Sequence, residues 1–185
     1  MNNLLRIDDI GASTKQFNQY GQKKARLLGL PCYFPLANLG VFKRIEPWRG
    51  WGPYEELTAT EWQTYLDFFQ SQNIKPIVAI TASWVEAGGT LTPFPQKFPE
   101  EASLLKQAAE AGLITIANHG LSHSVIGYHL PKFWQGNRQF HREFWPYLPQ
   151  STHHEHILKS QEILESFFQR PVSIFVPPGN IWSHK

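Results

Sequence analysis

The sequence has little of what several classes of protein require. Its 185 residues include a single cysteine, Cys32, so the chain can form neither an internal disulfide nor a thiolate metal cage. No apolar run approaches the roughly 20 residues that span a bilayer, and the start of the chain lacks a secretory signal pattern. We therefore expect a cytoplasmic protein without a membrane span, in which histidine and carboxylate side chains would hold any metal.

Net charge is also small. The 17 lysine and arginine residues are nearly balanced by 15 aspartate and glutamate residues, which gives a formal net charge of +2. Proteins that bind nucleic acid through its phosphates carry a clear basic excess, so we expect no nucleic-acid partner. The hydrophobic share of 42% is typical of globular proteins, and a chain of this length is one domain's worth. We expect a single domain over residues 1–185.

Four short apolar segments alternate with helical patterns along the chain. They predict strands at Leu4–Asp8, Pro76–Thr81, Leu113–Asn118 and Val172–Val176. Nearly continuous apolar runs of this length are typical of parallel strands that are buried on both faces. The alternation predicts an α/β fold with right-handed crossovers, arranged as a parallel sheet or a barrel.

Capping signals predict where two of the helices begin. Thr58 with Glu61, and Thr152 with Glu155, have the spacing of a capping box, in which the threonine precedes the first helical turn. Each threonine is therefore predicted to start a helix, and the first of these helices has Trp62, Leu66 and Phe69 on one face. Three histidines are then expected in the solvated first turn of the second helix: His153, His154 and His156.

Two further helices and two long connections complete the pattern. Helices are predicted over residues 17–28 and 99–111. The connections over residues 30–57 and 125–150 are rich in aromatic residues, and loops of this length inside a compact domain are usually functional or packed as lids. We expect most of their rings to cover the ends of the sheet, with a few left for a ligand surface.

Unusual polar sequences follow three of the predicted strands. Ligands of parallel α/β proteins bind at the carboxyl ends of the strands. The first strand runs into Asp8 and Asp9, the third into His119 with His123 four residues later, and the fourth into the Pro-Pro-Gly turn at residues 177–179. Two imidazoles four residues apart on a helical turn can reach one cation, and two histidines with one carboxylate suit Zn²⁺. Co²⁺, Ni²⁺ and Fe²⁺ suit the same ligands.

Motifs at these strand ends carry a resemblance to a known family. RIDDIG at residues 6–11, NHGLSH at 118–123 and FVPPGN at 175–180 resemble the first three motifs of the polysaccharide deacetylase (NodB-homology) superfamily of metal-dependent carbohydrate esterases. Together with REFW at 142–145, they look closest to its WbmS-like, sugar-modifying branch. The resemblance implies a distorted (β/α) barrel, of which residues 1–185 would supply the first four βα units.

The resemblance also implies roles for residues at the strand ends. Asp9, His119 and His123 would bind a divalent metal, with Zn²⁺ the first candidate, and Asp8 would act as the general base toward the attacking water. The substrate would be an acylated sugar, glycan or sugar nucleotide that loses an acyl group. The remaining candidates for contacts to the substrate or its oxyanion are Pro178, Gly179, Asn180, Trp84, Arg142 and Glu143.

Two positions depart from the family pattern. Gly120 stands where a serine or threonine commonly follows the first metal histidine, and Val176 stands where an arginine commonly orients the catalytic carboxylate. No residue of the sequence is assigned as the general acid. Two other functions therefore stay open, namely a metal-containing carbohydrate-binding or interaction module without turnover, and another metal-dependent hydrolase with the same three ligands.

The strand count has a consequence for assembly. Four parallel strands cannot close a barrel, and an open sheet leaves N–H and C=O groups unpaired along its edges. We expect either a further C-terminal segment or another chain in an oligomer to cover this edge.

Overall fold

The computed structural model describes residues 4–13, 24–27, 30–33, 56–86, 90–125 and 143–181. Within these ranges seven strands form three sheets. In chain order the strands are β1 (Arg6–Ile10), β2 (Lys24–Leu27), β3 (Leu30–Tyr33), β4 (Ile77–Ile80), β5 (Ser83–Val85), β6 (Leu91–Pro93) and β7 (Thr115–Asn118). The central sheet is parallel with the spatial order β1-β4-β7, and β2 with β3 and β5 with β6 form antiparallel pairs. The predicted α/β class is confirmed, although the described residues do not form a closed barrel.

The middle strand of the parallel sheet is buried on both faces, as its apolar sequence predicts. Val78, Ala79 and Ile80 have no exposed surface. Val78 and Ile80 belong to the main core beneath the helices. On the opposite face, Ala79 packs with Ala117 and Val176 in a smaller cluster. The carboxyl end of this sheet is therefore held rigidly from both sides.

Four helices accompany the sheet in the described residues. They are α1 (Ala59–Ser71), α2 (Phe94–Lys97), α3 (Pro99–Glu110) and α4 (Gln150–Phe168). α1 begins at the predicted capping box, because Thr58 Oγ1 accepts a hydrogen bond from the Glu61 N–H while the Glu61 carboxylate accepts one from the Thr58 N–H. α1 also buries Trp62, Leu66 and Phe69 as predicted. None of these helices is long and apolar enough to cross a bilayer.

The start of α4 differs from the prediction. The helix begins at Gln150, directly after Pro149, so Thr152 lies inside its first turn and caps nothing. The carbonyl of Pro149 already accepts hydrogen bonds from the N–H groups of Thr152 and His153, at 3.0 and 3.3 Å. The prediction of a capping box at Thr152 is therefore wrong, because Pro149 takes the N-cap position and the helix starts three residues earlier.

The fourth predicted strand is reduced to one parallel bridge. Phe175 pairs with Asn118 at the end of β7, through two backbone hydrogen bonds of 2.8 Å. Pro171 and Pro177 lie on either side of the bridge, and a proline has no N–H to donate to a ladder. A full strand over Val172–Val176 was therefore the wrong expectation.

The predicted helix over residues 17–28 is also wrong where the structure describes it. Residues 24–27 form β2, which pairs in an antiparallel register with β3. The rest of that prediction lies outside the described residues, as do residues 34–55 and 126–142 of the two long aromatic connections.

Candidate metal centre

The first strand does not end at its two aspartates. β1 continues to Ile10, and its pairing with β4 shifts between Ile7 and Ile10. Asp9 lies within this irregularity and has a left-handed backbone with φ of 66°. Such a bulge breaks the alternation of side chains along a strand and re-aims one of them. Because of the bulge, the side chains of Asp8 and Asp9 both lie at the carboxyl edge of the sheet, although the two residues are adjacent.

The loop after β7 carries both histidines, and it is irregular. Gly120 has φ of 82° and His123 has φ of 60°, which excludes the predicted helical turn. Backbone bonds hold the loop beside β5, since the N–H groups of Ala82 and Ser83 donate to the carbonyls of Gly120 and Leu121 at 2.9 and 2.7 Å. The two imidazoles are brought together by bends in the chain and not by helical periodicity.

Asp9, His119 and His123 converge on one point. Their candidate ligand atoms all lie within 4.8 Å of one another. Asp9 Oδ1 is 2.9 Å from His119 Nε2 and 2.9 Å from His123 Nε2. The imidazoles are only 2% and 0% exposed, whereas the Asp9 side chain is 26% exposed. The three groups therefore form a cluster that is buried at the imidazoles and reaches solvent on one open side, at the carboxylate.

The far ring nitrogen of His119 decides what its near nitrogen can do. His119 Nδ1 lies 2.7 Å from the carbonyl oxygen of Val176. A carbonyl oxygen only accepts, so Nδ1 carries the hydrogen and Nε2 of the neutral ring presents a lone pair toward Asp9. Two acceptors at 2.9 Å require a proton or a cation between them. The donor set thus fits a divalent metal, and a backbone carbonyl on the far nitrogen is a usual support for a ligand histidine.

Asp8 has different partners from its neighbour. Its Oδ2 pairs with Arg6 Nη2 at 2.8 Å, and the same nitrogen donates to Asn180 Oδ1 at 3.2 Å. Its Oδ1 is buried and has no hydrogen-bond partner among the described residues. Most buried side-chain polar atoms have a partner. The unpartnered oxygen thus distinguishes Asp8 from Asp9, whose carboxylate meets both histidines.

The Pro-Pro-Gly turn lies at the same edge. Pro178 is buried, whereas Gly179 and Asn180 are exposed with φ of 62° and 54°. Because prolines lack an N–H, Gly179 has the one backbone donor of residues 177–179. The exposed turn thus offers a single N–H group near the sheet edge, while Asn180 is linked through Arg6 to Asp8.

The structure explains why position 120 is a glycine, which the sequence alone did not. A Cβ at this residue would overlap Glu143 Oε2 and would lie 2.9 Å from both Glu143 Cδ and Pro178 Cγ. The departure from the family's serine or threonine follows from the carboxylate of Glu143, which fills the space where a side chain would point.

The structure places the other predicted contacts away from the open side. Glu143 has no exposed surface, and its carboxylate accepts hydrogen bonds from the loop after β7. Trp84 is 7% exposed, packs edge-on against Phe98 with ring centroids 5.3 Å apart, and has Lys97 Nζ 5.6 Å above its ring. Both side chains therefore lie in the interior and not on a substrate surface. Arg142 lies outside the described residues.

Two histidines of α4 turn inward, contrary to the expected solvated turn. His156 Nδ1 lies 2.6 Å from Glu143 Oε1, and the His156 side chain is 12% exposed. His153 packs 5.5 Å from the ring of Phe144, and burial lowers its pKa. The spacing of apolar and small residues could have revealed this face, since three buried residues follow His156 at intervals of four: Ser160, Leu164 and Phe168.

Most of the chain is similar to a known family of proteins. Residues 52–185 match the family model described as polysaccharide deacetylase. Among solved structures, the chain is similar to BA3943 from Bacillus anthracis, described as a CE4 family pseudoenzyme, with 14% sequence identity and a TM-score of 0.45. The similarity covers 70% of this chain and 34% of that one, so this chain spans about a third of its length. No curated protein matches the sequence.

Proposed function

Because the chain belongs to the polysaccharide deacetylase family, we propose that it is a metal-dependent hydrolase that removes an acyl group from an N- or O-acylated sugar. The observation that carries the proposal is the unpartnered, buried Oδ1 of Asp8 next to the converging Asp9, His119 and His123. A positioned base beside a metal-ligand set is one arrangement that hydrolyses an amide or an ester.

The metal would be held by Asp9, His119 and His123. Catalytic zinc sites use three protein ligands drawn from histidine and carboxylate, so Zn²⁺ is the first candidate, with Co²⁺, Ni²⁺ and Fe²⁺ as alternatives. Such an ion, when bound, polarises the acyl carbonyl and makes a nearby water more acidic. The hydrogen bond from His119 Nδ1 to the Val176 carbonyl keeps the ring in the tautomer that leaves Nε2 for this purpose.

Asp8 acts as the general base. Arg6 holds Oδ2 at 2.8 Å, so Oδ1 is the oxygen that takes the proton of the attacking water. The side chains of Arg6 and Asp8 are 40% and 27% exposed, so a substrate can approach the pair from solvent, while the buried Oδ1 would receive its proton from a water bound between Asp8 and the metal ligands. Arg6 thereby does for Asp8 what the family's arginine does from the position that Val176 occupies here.

The bond changes define the products. The water oxygen forms a bond to the acyl carbon while Asp8 takes one of its protons. The bond from that carbon to the sugar nitrogen or oxygen then breaks, its electron pair stays with the sugar atom, and that atom takes a proton from solvent. The products are a carboxylate and a sugar amine or hydroxyl. The Gly179 N–H is the proposed donor to the developing oxyanion, since the two preceding prolines have none.

Acetate release tests the proposal. Protein stripped with a chelator and reloaded with Zn²⁺ or Co²⁺ would be incubated with acetylated oligosaccharides and N-acetylated sugar nucleotides. We expect release that depends on the metal and is lost in His123→Ala, which leaves two ligands. The matched control is His154→Ala, because His154 is exposed on α4 and its loss should change neither metal content nor rate.

The same assay separates the two alternatives. Metal binding without release from any acetylated sugar would overturn the proposal in favour of a non-catalytic carbohydrate-binding module. Hydrolysis of simple esters or amides but of no sugar would favour another metal-dependent hydrolase. Membership of the WbmS-like branch, supported by the RIDD, HGLSH and REFW sequences, and a cytoplasmic location, supported by composition, stay part of the proposal.

A further inference from the structure

Glu143 is a fully buried carboxylate that accepts hydrogen bonds from backbone N–H groups of the ligand loop and from His156. We infer that it is a positioning residue. It holds the backbone of His123 in place and thereby maintains the affinity of the centre for its metal. The inference rests on the proposed metal-dependent function and adds to it the group that shapes the ligand loop.

The carboxylate of Glu143 accepts hydrogen bonds from three successive backbone N–H groups. Oε1 accepts from Leu121 at 2.7 Å and from Ser122 at 3.3 Å, and Oε2 accepts from His123 at 2.8 Å. Successive N–H groups that point at one anion form a nest. The ligand loop has neither helical nor strand structure. Its backbone wraps around the carboxylate of Glu143 instead.

The backbone of His123 needs such support. Its φ of 60° lies in the left-handed region, which is unfavourable for residues with a side chain. Backbones of this kind persist only when their surroundings hold them. The bond from the His123 N–H to Glu143 Oε2 acts directly on this residue. Losing that bond would let the imidazole move away from Asp9.

Glu143 is itself fixed by its neighbours. His156 Nδ1, on α4, lies 2.6 Å from Oε1 and must donate, because a carboxylate oxygen without a proton only accepts. Phe144 is 1% exposed and packs edge-on against Phe175, with ring centroids 5.1 Å apart. Gly120 leaves the space that the carboxylate fills. The carboxylate is therefore held from the side of α4 as well as from the ligand loop.

The variant Glu143→Gln tests this role. The amide keeps the size of the side chain but must turn its NH₂ group toward at least one N–H of the loop, where donor meets donor. Changes to the groups that support metal ligands typically weaken metal binding roughly 10- to 100-fold. We expect a loss in that range for Zn²⁺ and Co²⁺ by titration calorimetry, and altered visible absorption of bound Co²⁺, which reports the ligand geometry.

The matched control is Glu165→Gln. Glu165 Oε1 also accepts a backbone hydrogen bond, from Val172 at 2.9 Å, but it takes no part in the ligand loop. This variant should lower the melting temperature and leave the metal affinity and the Co²⁺ spectrum unchanged. If Glu143 affected only the stability of the fold, the two variants would change in the same way. If Glu143 is a positioning residue, Glu143→Gln loses metal affinity and Glu165→Gln does not.

Each outcome decides a different statement. Wild-type affinity in folded Glu143→Gln, or equal losses in both variants, would overturn the inference and leave the proposed metal site standing. A wild-type protein that binds neither ion would overturn both. If Glu143→Gln does not fold, Glu143→Asp decides, because the shorter side chain keeps the charge but draws the carboxylate back from the N–H groups of Leu121, Ser122 and His123. Weaker Co²⁺ binding would then support the inference, and unchanged binding would overturn it.

Discussion

The helical layer and the carboxyl edge of the parallel sheet use left-handed backbone for different ends. In the helical layer, Asn73 and Gln169 have positive φ where a helix terminates, a common way to stop one. At the sheet edge, Asp9 and His123 have positive φ in segments that end no helix, and both reach toward the same point. Unfavourable backbone that terminates nothing and gathers candidate ligands is typical of a functional site.

The two regions also differ in what surrounds their glycines. Gly112, after α3, has φ of 75° and nothing within 4 Å of the place where a Cβ would lie. Gly120, in the ligand loop, has φ of 82°, and its Cβ would meet Glu143 and Pro178. The first glycine serves only the backbone, whereas the second also leaves room for a neighbouring group.

Substituting these glycines should give the largest difference in stability. Gly112→Ala should cost about 1–2 kcal/mol, the usual penalty for a left-handed residue with a side chain. Gly120→Ala adds the overlap with Glu143, for a total of about 2–5 kcal/mol, and should also weaken Co²⁺ binding. Denaturant unfolding and metal titration of both variants check this. Equal losses of stability, with metal binding intact in both, would contradict the packing described for Gly120.

The two threonines with capping-box spacing should differ by a smaller amount. Thr58→Ala removes a cap that accepts from the Glu61 N–H, and such losses cost about 1 kcal/mol. Thr152→Ala should cost less than half as much, because Thr152 lies within α4 and caps nothing. Thermal unfolding of the two variants measures the difference. A larger loss at Thr152 would mean that α4 begins where the sequence pattern placed it.

Acidification should have the smallest effect on stability, and this effect should come from His153. Burial lowers the pKa of His153 below its usual 6.5, and the nearby His156 lowers it further, while a hydrogen bond to the Trp145 backbone and the charge of Glu143 oppose the shift. The unfolded chain therefore takes up the proton first. The contribution of His153 to the free energy of unfolding should be fully present above about pH 6.5 and should be lost as the pH drops below it.

His153→Gln removes this contribution and provides the check. Melting temperatures of the wild type and the variant would be compared between about pH 7.5 and about pH 5.5. The quantity compared is the change in melting temperature on acidification, and not the melting temperature at neutral pH. That change should be smaller in the variant, and an identical change in both proteins would exclude His153 as its source.

Features held by contacts between residues close in the sequence were predicted, whereas features that depend on distant contacts were not. The cap of α1 joins Thr58 to Glu61, three residues apart, and was predicted together with its buried face. The bulge that aims Asp9 was not, because nothing local in RIDDIG distinguishes a bulged strand from a strand that ends at Asp8. The start of α4 was misplaced because two local signals competed and Pro149 prevailed over Thr152.

The site was predicted as a set of residues and not as a geometry. Strand ends of a parallel sheet share an edge, and that rule placed Asp9 with His119, although 110 residues separate them. The support of the loop by Glu143 joins residues about twenty positions apart across the long aromatic connection. No periodicity or motif encodes such a contact, so Glu143 was expected to face the substrate.

Separating the two adjacent aspartates is the most direct test of the central claim, that Asp9 serves the metal and Asp8 the proton transfer. The measurement is metal content beside acetate release for Asp8→Asn and Asp9→Asn, with Asp67→Asn, exposed on α1, as the control. Asp8→Asn should keep about one metal ion per chain while turnover falls by roughly 10² to 10⁴. Asp9→Asn should lose the metal and recover part of its activity at high metal concentration. Loss of the metal from Asp8→Asn with retention in Asp9→Asn, or no change in either variant, would contradict the claim.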